Sequence, residues 1–129
     1  DGDRPLLSNP FFRRKVAELE MDLTALEFTE LRTLAGEAAG KGPGPESSVL
    51  KIKGSEIQQR LTELTLELAG HYGAPYFRGF GEGDNEHPIG PGTWANRAAP
   101  TYFNTRKTTI YGGSNEVQRT IISSTILGL

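Results

Sequence analysis

The 129-residue chain contains no cysteine. That excludes a disulfide framework, a thiolate nucleophile and any Cys-type zinc site, and it agrees with a reducing compartment. An excess of basic residues is also lacking: 14 Lys and Arg face 16 Asp and Glu, for a net charge of −2. Such a balance gives no footprint for nucleic acid or for an anionic membrane surface. No run approaches the ~18 consecutive apolar residues of a membrane span. The opening "DGDRPLLSNP" has neither a basic n-region nor an apolar h-region, so it does not read as a signal peptide. It starts on Asp rather than Met, as expected of a processed product or a piece of something longer. No segment alternates apolar and polar residues with the period of a strand, and there is no internal repeat.

What is present is a composition for one soluble domain, with 36% hydrophobic and 23% charged residues. Asn9 or Ser8 can cap a helix, and Pro10 suits its first position. Phe12, Val16, Leu19, Leu23 and Leu26 then share one helical face, and Leu31, Leu34 and Ala38 continue on a shifted stripe. This predicts a helix over about 9–39. "GKGPGP" at 40–45 breaks it. A second helix is expected over about 45–70, with Leu50, Ile57, Leu61, Leu64 and Leu68 buried, Gly54 in a close-packing slot and Gly70 as the stop. Two long amphipathic helices joined by a short loop lie antiparallel. Residues 71–98 form an aromatic, glycine-rich connection, longer than the ~2–8 residues usual in a bundle. A short helix is expected over about 99–107. A last one is expected over about 114–126, with Val117, Ile121, Ile122 and Ile126 apolar. The predicted fold class is all-α, an antiparallel up-down bundle forming one domain over 1–129.

Several side-chain sets have an ordinary explanation beside a functional one. Gly79, Gly81 and Gly83 in "RGFGEGDNE" imitate a phosphate loop, but the dinucleotide fingerprint needs a strand before it and a helix after it. His71, Asp84, Glu86 and His87 fit no helix-borne metal spacing and read as surface polar residues. Arg13, Arg14 and Lys15 read as a solvated helix face. Glu63 and Glu67 share a face at i, i+4. Paired carboxylates can do acid–base work, though most are simply solvated. Glu67 differs in sitting one turn before Gly70, where the helix meets the long connection.

The stretch "TIYGGSNEVQRTII", residues 109–122, asks the sharper question. Gly112 and Gly113 remove side-chain bulk, Ser114 can cap, and a helix start favours an anion. A plain capped turn accounts for the same residues.

The segment "TRKTTIYGGSNEVQRTIISSTILGL", 105–129, resembles the C-terminal end of the acyl-CoA dehydrogenases. That family shows a tyrosine, a Glu-Gly-Thr or Gly-Gly-Thr element, an Asn-Glu-Ile-Gln-Arg-like helix start and an Ile-Leu-Gly tail. "PESSVLKIKGSEIQQRLTELTLELAGHYG", 45–73, is similar to the family's long helix ending in Gln-x-x-Gly-Gly-x-Gly, and the first helix is similar to the one before it. The resemblance covers nearly the whole chain, with 74–98 the least typical part.

It implies a flavoenzyme of lipid metabolism, cytoplasmic, whose FAD accepts a hydride from the β-carbon of an acyl-CoA while a carboxylate takes the α-proton. It further implies electron-transfer flavoprotein or a similar acceptor, and a homo- or hetero-oligomer. The chain would supply the later part of the C-terminal four-helix bundle, with the first bundle helix, the middle β domain and the N-terminal helical domain lying upstream, and would be inactive alone. Tyr111 falls near the substrate thioester. Gly112 falls where many members carry the catalytic Glu, so this segment brings no base; some members carry it on the preceding helix. Gly113, Ser114 and Glu116 fall on flavin contacts. Glu67 replaces the family's flavin-contacting Gln, with Gly70 and His71 at the two glycines that follow. A carboxylate beside a diphosphate is repulsive unless protonated or paired. Two other readings share the same residues: a non-catalytic subunit of a hetero-oligomeric dehydrogenase, and an acyl-CoA oxidase.

Overall fold

Asn9 starts the first helix: its Oδ1 accepts the Phe11 N–H at 2.9 Å, and Pro10 occupies the first helical position. This helix, α1, spans Pro10–Ala38. It closes with two reaching bonds, Lys41 N–H to Gly36 O at 3.0 Å and Gly40 N–H to Glu37 O at 2.9 Å, which satisfy carbonyls the last turn would leave open. The "GKGPGP" break then returns the chain antiparallel as α2, Glu46–Ala69. Both lie within a residue of their expected ends. Gly70 caps α2, and a short 3-10 turn, Gly70–Gly73, follows.

The computed structural model describes residues 4–42, 44–75 and 93–129. After the second gap come α3, Thr93–Thr105, a 3-10 turn at Arg106–Thr109, and α4, Asn115–Ile122, which loosens into a π turn over Ser123–Leu127. No strand occurs among the described residues, and the fold is an all-α helical bundle. No described helix is long and apolar enough to cross a membrane.

One boundary differs from the sequence reading. α3 begins at Thr93 rather than near residue 99, and it carries Pro100 inside it. Proline favours a first turn, which draws the expected boundary toward it. Here packing overrides that preference: Ala95 and Ala98, on the turn before Pro100, are buried against Ala69, with Leu66 beside them. These small side chains let α3 approach α2 closely. The approach reaches Gly73 as well, where a Cβ would stand 3.8 Å from the Ala95 carbonyl oxygen and 2.8 Å from Leu66 Cδ1 of α2.

α2 is the central element, packed on α1 and also on α3 and α4. Toward α1 the expected stripes meet, with Phe12, Leu19 and Ile57 buried. Two helices cannot cover the whole stripe, and Leu23, Leu61 and Leu68 remain 53%, 54% and 47% exposed. The groove between them, about 420 Å3, is lined by Phe12, Val16, Leu19, Leu61, Leu64 and Leu68, among others. Gly54 is not the tight slot expected of it. A Cβ there would make only ordinary contact with Leu26 Cδ2, at 3.9 Å.

Candidate functional site

The segment between the 3-10 turn and α4 is an exposed loop on fixed feet. Ile110 and Tyr111 are exposed, and both N–H groups turn back to the Lys107 carbonyl, at 3.0 and 3.3 Å. Gly112 and Gly113 follow with φ of 67° and 87°, a left-handed conformation that glycine alone adopts freely. The conformation, rather than crowding, is what demands glycine at position 112, because a Cβ built there meets nothing within 4 Å. At position 113 a Cβ would meet the Gln118 Nε2 at 2.7 Å, the end of a flexible side chain. Ser114 then turns extended and caps α4, its Oγ accepting the Val117 N–H at 3.4 Å.

Glu116 sits in the first turn of α4 and is exposed. Its own backbone N–H and the Ser114 hydroxyl hold its carboxyl below the usual value, with help from the Arg119 and Lys51 charges. A group so stabilised as a carboxylate is a weak proton acceptor.

The feet of the loop are polar and partly to fully buried. Lys51 of α2 donates to the Thr109 carbonyl at 3.1 Å and to Asn115 Oδ1 at 2.6 Å. Asn115 is 4% exposed, and its Nδ2 donates to Ser55 Oγ at 3.2 Å. Gln59 Nε2 donates to the Arg106 carbonyl and the Thr108 hydroxyl, both at 3.2 Å. Arg106 reaches the Gln59 carbonyl at 3.0 Å and stacks 4.2 Å over the Tyr102 ring. Sequence reading did not single out any of these residues. The signal was present: Ser48, Ile52, Ser55, Gln59, Thr62, Leu66 and Ala69 recur at alternating steps of four and three, which is a second helical face. It is mostly polar or small, so an apolar count passes over it.

The second predicted group lies at the far end of α2. Glu67 is gripped by Lys15 of α1, whose Nζ donates to both carboxylate oxygens at 2.9 and 2.8 Å. Gly70 takes φ of 55°, and His71 is exposed on the turn after it. Asn115 touches α2 at Ser55, and Glu67 is twelve residues further on. At ~1.5 Å rise per residue the two groups stand about 18 Å apart along the helix. The chain therefore brings Tyr111, Gly112, Gly113, Ser114 and Glu116 together, and separately Glu67, Gly70 and His71, without joining the two groups. Of the glycine-loop and metal candidates, Gly79, Gly81, Gly83, Asp84, Glu86 and His87 lie outside the described residues. Among the described residues no three His or acidic groups stand close enough to hold a metal ion.

The family model described as acyl-CoA dehydrogenase, C-terminal domain, matches residues 1–127. The chain belongs to this family. It is 32% identical over 121 residues to the acyl-CoA dehydrogenase IpdE1 of Mycobacterium tuberculosis, covering 94% of this chain and 27% of that protein. It is 31% identical over 90 residues to the acyl-CoA dehydrogenase FadE34 of the same organism, covering 70% of the chain and 10% of the relative. IpdE1 of Mycolicibacterium smegmatis is 29% identical over 121 residues, or 94% of the chain and 26% of the relative. The chain thus spans about a quarter of the length of two of these relatives and a tenth of the third. No solved structure matches it significantly.

Proposed function

We propose that the chain is the later part of the C-terminal helical domain of a flavin-dependent acyl-CoA dehydrogenase, a cytoplasmic enzyme. In this reading the Tyr111–Ser114 loop lies where an acyl thioester meets the flavin. The observation that carries it is the loop itself: two left-handed glycines with open space at Gly112, held out on a buried polar base at the start of α4. Such backbone admits a flat ligand closely, because no Cβ intervenes. FAD, when bound, would accept the hydride leaving the β-carbon of the acyl-CoA.

The residues present suit that group. Gly113 and Ser114 offer backbone and a hydroxyl at a helix start, and Tyr111 and Gly112 flank the substrate side. At the other end, Gly70 and His71 offer an exposed turn. Glu67, a carboxylate where a diphosphate contact is expected, is paired with Lys15, which removes its net repulsion for phosphate oxygens. The 18 Å gap between the two groups, from ~1.5 Å per residue, suits residues that serve different parts of an extended cofactor or the flavins of two subunits. The half-exposed leucines of the α1–α2 groove are then the face that the first bundle helix or another subunit covers, since an open leucine-lined groove marks an interaction face.

Gly112 supplies no base, and Glu116 is held as a stable carboxylate. We therefore place the α-proton acceptor on the helix preceding this chain. The absence of a carboxylate at position 112 also favours a second reading, a non-catalytic partner in a hetero-oligomeric dehydrogenase.

The test uses the full-length protein. A yellow protein whose flavin is bleached anaerobically by an acyl-CoA, and which passes electrons to electron-transfer flavoprotein, bears out the dehydrogenase reading. Peroxide formation in air would make it an oxidase instead. A colourless protein that binds no FAD would sink both. Changing each carboxylate of the preceding helix to its amide should abolish bleaching at one position. Undiminished bleaching throughout would favour the non-catalytic reading of this chain, with the base supplied by a partner.

A further inference from the structure

Lys51 is a half-buried cation that touches both ends of the loop. Its ammonium donates to the Thr109 carbonyl just before the loop, at 3.1 Å, and to Asn115 Oδ1 just after it, at 2.6 Å. The chemistry leaves no freedom in how these groups face. Lysine can only donate, so the Asn115 amide must turn its oxygen to it. The hydroxyl of Ser55 commits its hydrogen to the Ile52 carbonyl at 2.8 Å, so its oxygen is open to the Asn115 Nδ2 at 3.2 Å. Asn115 is thereby locked between two residues of one rigid helix. Between the two feet, Ile110, Tyr111, Gly112 and Gly113 are exposed. The ties of this stretch are the turn bonds to Lys107 and a long bond, 3.4 Å, from Gln118 to the Gly112 carbonyl. Two consecutive glycines in the middle add conformational freedom rather than stiffness.

We propose that Lys51 is a positioning residue: by holding Thr109 and Asn115 from one ammonium it sets the spacing of the loop's feet, and with it where Tyr111 and Ser114 stand toward a bound acyl thioester and flavin. This rests on the acyl-CoA dehydrogenase reading above. A loop with two free glycines cannot hold its own shape, so the separation of its ends decides the path between them. A single cation bridging both ends fixes that separation without filling the space above the loop, which stays open to a ligand.

The experiment uses the full-length flavoprotein with Lys51→Met. Flavin content and acyl-CoA affinity should change by less than about threefold, while the limiting rate of flavin reduction at saturating acyl-CoA falls on the order of 10- to 100-fold, the usual effect of displaced reacting groups. Amide hydrogen exchange at 110 and 111, whose N–H groups bond to the Lys107 carbonyl, should rise at least about tenfold, with α1 unchanged. Lys51→Cys treated with 2-bromoethylamine rebuilds an ammonium of nearly native length, and it should restore both rate and protection, against wild type treated in parallel. Should Lys51→Met fail to fold, Lys51→Gln keeps a donor in the site and should show the same split, less severely. Wild-type rate and exchange in these variants, protection lost equally in α1, or no recovery on alkylation would each overturn the proposal. If the wild-type protein binds no flavin, the functional reading fails by itself, and exchange at 110 and 111 still decides whether Lys51 holds the loop.

Discussion

The two sides of α2 are filled by different chemistry. Toward α1 it presents leucines, and the pairing is completed at the surface by Lys15–Glu67, Arg60–Asp22 and Arg60–Glu18 ion pairs. Toward α3 and α4 it presents Ser55, Gln59, Leu66 and Ala69, and the pairing is completed inside by hydrogen bonds with named partners. Apolar contact is non-directional, so the α1 side tolerates small slips and leaves part of its stripe for other cover. The polar side tolerates less, because its hydrogen bonds are directional and a buried group that loses its partner is costly. The exposed glycine loop is mounted on the exacting side.

The sharpest way to break this contrast is Asn115→Ala. It leaves the half-buried Lys51 ammonium and the Ser55 hydroxyl short of a partner, and should cost about 3 kcal/mol by chemical denaturation, the range for bonds to charged groups plus an orphaned donor. Leu19→Ala, 7% exposed on the leucine side, should cost about 2 kcal/mol, at the low end for a buried leucine because the open groove beside it lets neighbours and water relax. Equal costs for the two would remove the distinction between the faces.

Smaller still is Lys15→Ala. Both partners of that pair are nearly half exposed, so the loss should stay within about 0.5 kcal/mol and shrink further in high salt. A loss rivalling Asn115→Ala would mean that ion pairs, rather than leucines, hold α1 to α2. The least effect belongs to Glu116. Its carboxyl pKa is lowered in the folded chain, so its contribution is present above the unfolded value and fades as pH falls through the folded one. The stability difference between wild type and Glu116→Gln should therefore vanish at strongly acid pH and be constant near neutrality, which a pH series of thermal melts would read. A difference that grew on acidification would reverse the sign.

Much of the scaffold was legible because it rests on local rules. Asn9 and Pro10 opened α1, the glycines after Ala38 closed it, Gly70 stopped α2 and Ser114 capped α4, each through bonds made within a few residues. The leucine stripes gave the α1–α2 pairing for the same reason, since helical period converts spacing into a face. The glycine loop was visible as a candidate too. Its support was not: Lys51, Ser55, Gln59 and Asn115 are ordinary polar residues, and in sequence Asn115 looks like one more helix-start residue. The start of α3 was misplaced because Pro100 reads locally as a first turn, while burial of Ala95 and Ala98 against Ala69 extends the helix before it.

The sequence by itself determined the two long helices, the antiparallel turn between them, the glycine loop as a candidate and the family, all carried by neighbouring residues or by periodic pattern. Only the tertiary structure decided that Asn115 turns inward, that Glu67 is neutralised by Lys15, and that the two groups of candidate residues stand apart along α2. Those outcomes join residues roughly fifty to sixty positions apart, as the Lys15–Glu67 and Ser55–Asn115 contacts do. Contacts of that range depend on how whole helices dock, which no local propensity encodes.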